Sequence, residues 1–62
     1  MIYNLVLCSK NLGEIDVEYG LDGRPLRFTD KAFAEREAHE RNMELIVEHG
    51  LDCGLHWKVR EE

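Results

Sequence analysis

Residues 29–50 read TDKAFAEREAHERNMELIVEHG, and this stretch decides the fold. From Lys31 to about His49 it holds neither Gly nor Pro, and Ala, Glu, Arg, Met and Leu dominate. A long helix is therefore expected there. Thr29 or Asp30 supplies the N-cap, because either side chain can accept from the orphan amides of the first turn. Gly50 takes the left-handed position that ends the helix, with His49 in its last turn. At about 100° per residue, Ala34, Ala38, Leu45 and Ile46 gather on one side with Asn42 between them. Glu37, Glu40, Glu44 and Glu48 gather nearly opposite. The small Ala34 and Ala38 let the first half of the helix lie close against a sheet. Phe33 and Val47 fall on the acidic side, where they either pack at its margin or form an exposed apolar spot.

Upstream, Ile2 to Cys8 is a run of strand formers interrupted only by Asn4, which suits a central strand. Ser9 to Gly13 carries turn formers, and Glu14 to Tyr19 alternates acidic with apolar residues, so the two runs read as a hairpin. Gly20-Leu21-Asp22-Gly23 is a second turn signal. Pro25 confines the stretch Arg24 to Phe28 to a sheet edge or to no sheet at all. Downstream, Gly54 opens a last strand in which Leu55, Trp57 and Val59 alternate with His56, Lys58 and Arg60. The order strand, strand, helix, strand predicts one α+β domain over residues 1–62 with ββαβ connectivity. Its antiparallel sheet has the order 2-1-3, the first strand central, with one helix packed on one face; if that face is the one of Ile15, Val17 and Tyr19, the strand carboxylates point from the opposite side of the sheet.

Sixty-two residues bury about 60% of the surface of the unfolded chain, so stability is modest and either a monomer or a homodimer is expected. Thirteen acidic residues against eight basic ones give a net charge of −5. Such a domain repels nucleic acid and anionic membranes and approaches basic protein surfaces. Two cysteines, Cys8 and Cys53, are too few for a small secreted scaffold, and the N-terminus carries no basic segment or cleavage site. The expectation is a complete cytoplasmic protein that starts on its first strand.

Chemistry-bearing constellations are thin. His49, Cys53 and His56, with Cys8 as a fourth ligand, contain zinc-binding residue types, but not at a standard finger spacing. The competing reading is a capping His49, a half-buried Cys53 and a surface His56. A nucleophilic cysteine needs a base and a thiolate-favouring field, and acidic surroundings oppose that. No phosphate-cradling glycine loop is present, since the Gly20–Gly23 turn runs into Pro25 and not into a helix. Tyr3, Tyr19, Phe28, Phe33 and Trp57 could stack on bases only in a basic groove. No catalytic residue and no cofactor are therefore assigned.

The carboxylates remain. Glu14, Asp16 and Glu18 alternate with Ile15, Val17 and Tyr19 at strand period, about 6.7 Å apart. Glu37, Glu40, Glu44 and Glu48 recur at helical spacing over about 16 Å. Glu37 can pair with Arg41, whereas Glu40–Glu44 and Glu44–Glu48 are like-charge pairs costing about 0.2–0.5 kcal/mol each. Either array alone fits a solvated face, the strand one guarding a sheet edge. Together they favour a surface that meets cations.

Gly23-Arg24-Pro25-Leu26-Arg27-Phe28-Thr29-Asp30, leading to Ala34 and Ala38 and closing on Trp57-Lys58-Val59, resembles small phage and prophage reading frames of ββαβ build. A short acidic chain of that kind looks like the anti-CRISPR inhibitors, some of which imitate DNA phosphates. The resemblance implies a non-enzymatic inhibitor but carries over no functional residue; the charge arrays alone point to Glu40, Glu44 and Glu48, then Glu37, Glu14, Asp16 and Glu18, as the groups presented to a Lys/Arg-rich surface. That surface would lie on a larger protein, such as a CRISPR effector subunit. The alternative is a small accessory domain that homodimerises through its sheet, with the acids serving solubility.

Overall fold

Gly-free helical sequence and period-two strands assemble as their patterns demand. The computed structural model describes residues 1–51 and 53–62. Among them are strands β1 (Tyr3–Ser9), β2 (Gly13–Val17) and β3 (Leu55–Glu61) and a helix, α1 (Lys31–His49). The sheet order is β2-β1-β3, with β1 antiparallel to both neighbours. The ββαβ expectation and the central place of the first strand both hold.

Asp30, not Thr29, caps α1: its Oδ1 accepts from Ala32 N at 2.9 Å and Phe33 N at 3.4 Å. Gly50, at φ 84°, ends the helix in a conformation that a side chain would strain. Ala34 and Ala38 are buried against Leu5, and Tyr3, Phe28, Trp57 and Val59 pack around them. Two alanines in the contact bring the helix axis near the sheet, so a larger residue at either position would push the layers apart. Phe33 packs at the margin, its ring centroid 5.7 Å from that of Phe28, while Val47 stays exposed.

Asn4, the polar residue in the first apolar run, is buried and satisfied. Its Nδ2 donates to the Leu26 carbonyl at 3.1 Å and to Glu62 Oε2 at 3.2 Å. Those bonds tie the irregular segment before α1 and the chain end to the central strand. Phe28 exchanges both backbone hydrogen bonds with Tyr3, at 2.8 and 2.9 Å, and Tyr19 bridges Pro25. The stretch Arg24 to Phe28 thus lies at the sheet margin, as Pro25 requires.

The second strand departs from expectation. Leu7 pairs with Asp16 but Cys8 pairs with Glu14, so Ile15 is an extra residue, a bulge. An extra residue moves every side chain beyond it to the other face. Glu14 therefore points away from α1 with Cys8, while Asp16 lies on the helix side with Leu7. The predicted single-faced array of Glu14, Asp16 and Glu18 does not form. Nor does α1 pack on Ile15, Val17 and Tyr19: Ile15 and Tyr19 are 45% and 53% exposed, and Val17 pairs with Val6 on the far face.

That far face closes over itself. Val6 is only 1% exposed and Cys8 is buried. Glu14 on β2 reaches across β1 to Arg60 at 2.9 Å and to Lys58 at 3.3 Å on β3. The aliphatic stems of these long side chains shield the apolar strand beneath them while their charged ends stay in water.

Candidate protein-binding surface

The seven carboxylates expected to act sort by what each already touches. Glu14 is occupied by Lys58 and Arg60. The Lys58 hydrogen bond holds its carboxyl below the ordinary value of 4.5 against an opposing desolvation, and Arg60 adds to the lowering. Asp16 turns back on its own strand, with Oδ1 accepting from Val17 N at 2.8 Å. Glu18 reaches α1, its Oε2 lying 3.5 Å from Arg41 Nε. Arg41 also binds Glu37 Oε2 through Nη1 at 3.0 Å, so one guanidinium holds a strand acid and a helix acid together.

Glu37 is consequently half-buried at the edge of the packed face and leaves the row it was expected to lead. What remains is Glu40, Glu44 and Glu48. Among the described residues Glu40 and Glu44 have no ion-pair partner, and Glu48 meets only His49, at 3.7 Å with both exposed. Their spacing of four residues places them about 6 Å apart along the axis. Helical backbone hydrogen bonds and a capped N-terminus fix that spacing before any partner arrives.

Between this row and the sheet runs a groove of about 190 Å³ lined by Glu18, Arg41, Glu44, Leu45, Glu48 and Trp57. Three carboxylates face one guanidinium there, so the groove is electronegative. Its Trp57 wall was placed by strand alternation on the apolar face of the last strand with Leu55 and Val59. Met43, Ile46 and Val47, at i, i+3 and i+4, form an exposed apolar ridge on the outer side of the same half of α1. Of these, only Val47 was weighed as an exposed apolar residue in the sequence. The three-four spacing was the signal for the rest, but Ile46 was counted as core and Met43 was not placed.

Asn42 has a role that spacing did not suggest. Its Oδ1 accepts from Trp57 N at 2.6 Å and its Nδ2 donates to Trp57 O at 3.0 Å. The side-chain amide thus occupies the outward backbone of β3 as a neighbouring strand would. Cys53 Sγ donates to Leu55 O at 3.4 Å on the same edge. These bonds leave Val59 and Glu61 as the main outward-facing stretch of β3, too short a template for pairing with another chain.

Cys8 and Cys53 are free thiols. His56 pairs with Cys8 across the strands and is exposed, and His49 stands at the helix end beside Glu48. Among the described residues no group of three or more His, Cys, Asp or Glu side chains is placed to hold a metal ion. No described helix is long and apolar enough to cross a membrane. No family model matches this chain, and comparisons with curated proteins and with solved structures find no significant relative.

Proposed function

We propose that this protein is a non-enzymatic, cytoplasmic binding protein whose helix presents carboxylates to a Lys/Arg-rich surface on a larger protein. The observation that carries the reading is the division among its acids. Glu14, Glu18 and Glu37 are held by the protein's own cations, while Glu40 and Glu44 have no ion-pair partner among the described residues and stand one turn apart on a rigid helix. Like charges kept in register cost folding energy and gain it back when a cationic partner arrives. A narrower form of the proposal is an inhibitor of the anti-CRISPR kind. It would occupy a groove that normally neutralises phosphates, with carboxylates standing in for nucleic acid.

Self-association through the sheet has less surface to use. Val6 and Cys8 are already covered, and Asn42 and Cys53 occupy part of the β3 edge. The decisive experiment compares two double reversals of equal charge, Glu40→Lys/Glu44→Lys and Glu35→Lys/Glu61→Lys, for capture of a cationic protein in stepwise salt. The first should lose binding at least about tenfold more than the second, since close charge pairs carry more than distant ones. Equal losses would mean that net charge alone acts and that the helix row is not the site.

A further inference from the structure

Unpaired charge, exposed apolar side chains and a concave wall meet on the second half of α1. On its outer side stand Met43 and Val47, 49% and 81% exposed, with Ile46 beside them. Next around the helix come Glu40, Glu44 and Glu48. Beyond that row the groove opens, with Leu45 and Trp57 as its apolar walls and Glu18 on its far side. Helical geometry makes these three strips contiguous, because neighbours three and four apart in sequence share a face.

A partner made only of cations would use half of this surface. Lysine and arginine heads satisfy the carboxylates but gain nothing from Met43 and Val47, which remain wet. A segment that carries apolar residues beside its cations buries the ridge and neutralises the row together, and an amphipathic helix has that arrangement. A second copy of this chain fits poorly. Packing α1 against α1 would set two rows of Glu40, Glu44 and Glu48 face to face.

We infer that this surface docks a basic amphipathic helix from another protein. Its apolar stripe lies on Met43, Ile46 and Val47, and one Lys or Arg enters the groove beside Trp57. The groove's size suits a single extended cationic side chain, whose aliphatic stem lies on Leu45 and the indole while its head meets Glu44 and Glu48. Arg41 also lines the groove, but its guanidinium is engaged by Glu37 and Glu18, which leaves Glu44 and Glu48 for the incoming head. The inference rests on the binding reading above and adds the partner's chemistry to it.

Two synthetic peptides of equal length and charge test it, one an amphipathic Leu/Lys helix and the other Lys with Ser and Gly. Affinity is read by fluorescence anisotropy, and the emission of Trp57, the single tryptophan, reports entry into the groove. The native protein should bind the amphipathic peptide at least about tenfold more tightly, the factor that one partly buried apolar side chain supplies. Met43→Ser/Val47→Ser should erase that advantage without changing affinity for the Lys/Ser/Gly peptide. Both substitutions are at exposed positions, and circular dichroism checks that the helix persists. Equal affinity of the native protein for both peptides, or an advantage that survives the double variant, overturns the docking inference and leaves the charge reading standing. Failure to bind either peptide at low salt overturns both. Trp57 emission unchanged at saturation removes the groove from the proposal.

Discussion

The strand acids and the helix acids began as equivalent patterns and ended in opposite states. Glu14 and Glu18 are each taken up by cations of the same chain, and Asp16 by a backbone amide, whereas Glu40 and Glu44 project unpaired. The difference lies in what stands beside each array. A strand's neighbours are other strands, and the basic face of β3 lies just across β1 from Glu14. The face of a helix turned away from the sheet has only its own turns as neighbours, and along α1 Glu40, Glu44 and Glu48 follow one another at four-residue steps. Among the described residues, negative charge is therefore structural at Glu14, Glu18 and Glu37 and available at Glu40 and Glu44.

Removing the hinge between the two arrays should have the largest effect on stability. Arg41→Ala releases Glu18 and Glu37 together, both less than a third exposed, and should cost about 1–2 kcal/mol in urea unfolding. The same variant leaves two more carboxylates free, so affinity for a basic protein should rise or hold. A fall in affinity at unchanged stability would make Arg41 part of the binding surface and break the division drawn above.

Glu14 offers a pH test of the structural array. Its folded pKa lies below the ordinary value of 4.5, chiefly through the Lys58 hydrogen bond. The pairing therefore stabilises the fold above that value and loses its contribution as pH falls through the lower, folded one. Glu14→Gln should melt below the native protein near neutral pH, and the gap should close as the solution is acidified towards the folded pKa. A gap independent of pH would mean that the ion pairs across β1 contribute nothing and that the shielding stems alone matter.

The smallest effect carries the sharpest sign. Glu44→Lys converts two repulsive four-residue pairs, with Glu40 and with Glu48, into attractive ones. Removing the two repulsions alone should stabilise the helix by about 0.4–1 kcal/mol at low salt. The same change should weaken binding of a basic partner. Stability gained while binding is lost is the mark of a surface kept for use, and salt should erase the gain. A destabilised variant would place Glu44 in the structural class with Glu14.

Much of the architecture could be read from residue order. The Gly- and Pro-free run from Lys31 to His49 and the stop at Gly50 are local signals that hold, and of the two cap candidates, Thr29 and Asp30, it is Asp30 that caps. Pro25 correctly kept its segment at the sheet margin. The site was readable only in part. Glu40, Glu44 and Glu48 were identified by period, but nothing adjacent to Ile15 announces a bulge, and without it Glu14 was assigned to the wrong company. Asn42 was noticed as a polar residue in an apolar stripe. Its amide serves β3, which arrives fifteen residues later.

Secondary structure and overall acidity were thus inherent in the chain, because propensity, period and capping act between residues a few positions apart, and strand order followed from the handedness of the crossover. Pairing among charges, the reversal of β2's faces and the shielding of Val6 arose from folding. Each depends on elements brought together from distant positions, and a single extra residue in a ladder was enough to redirect them.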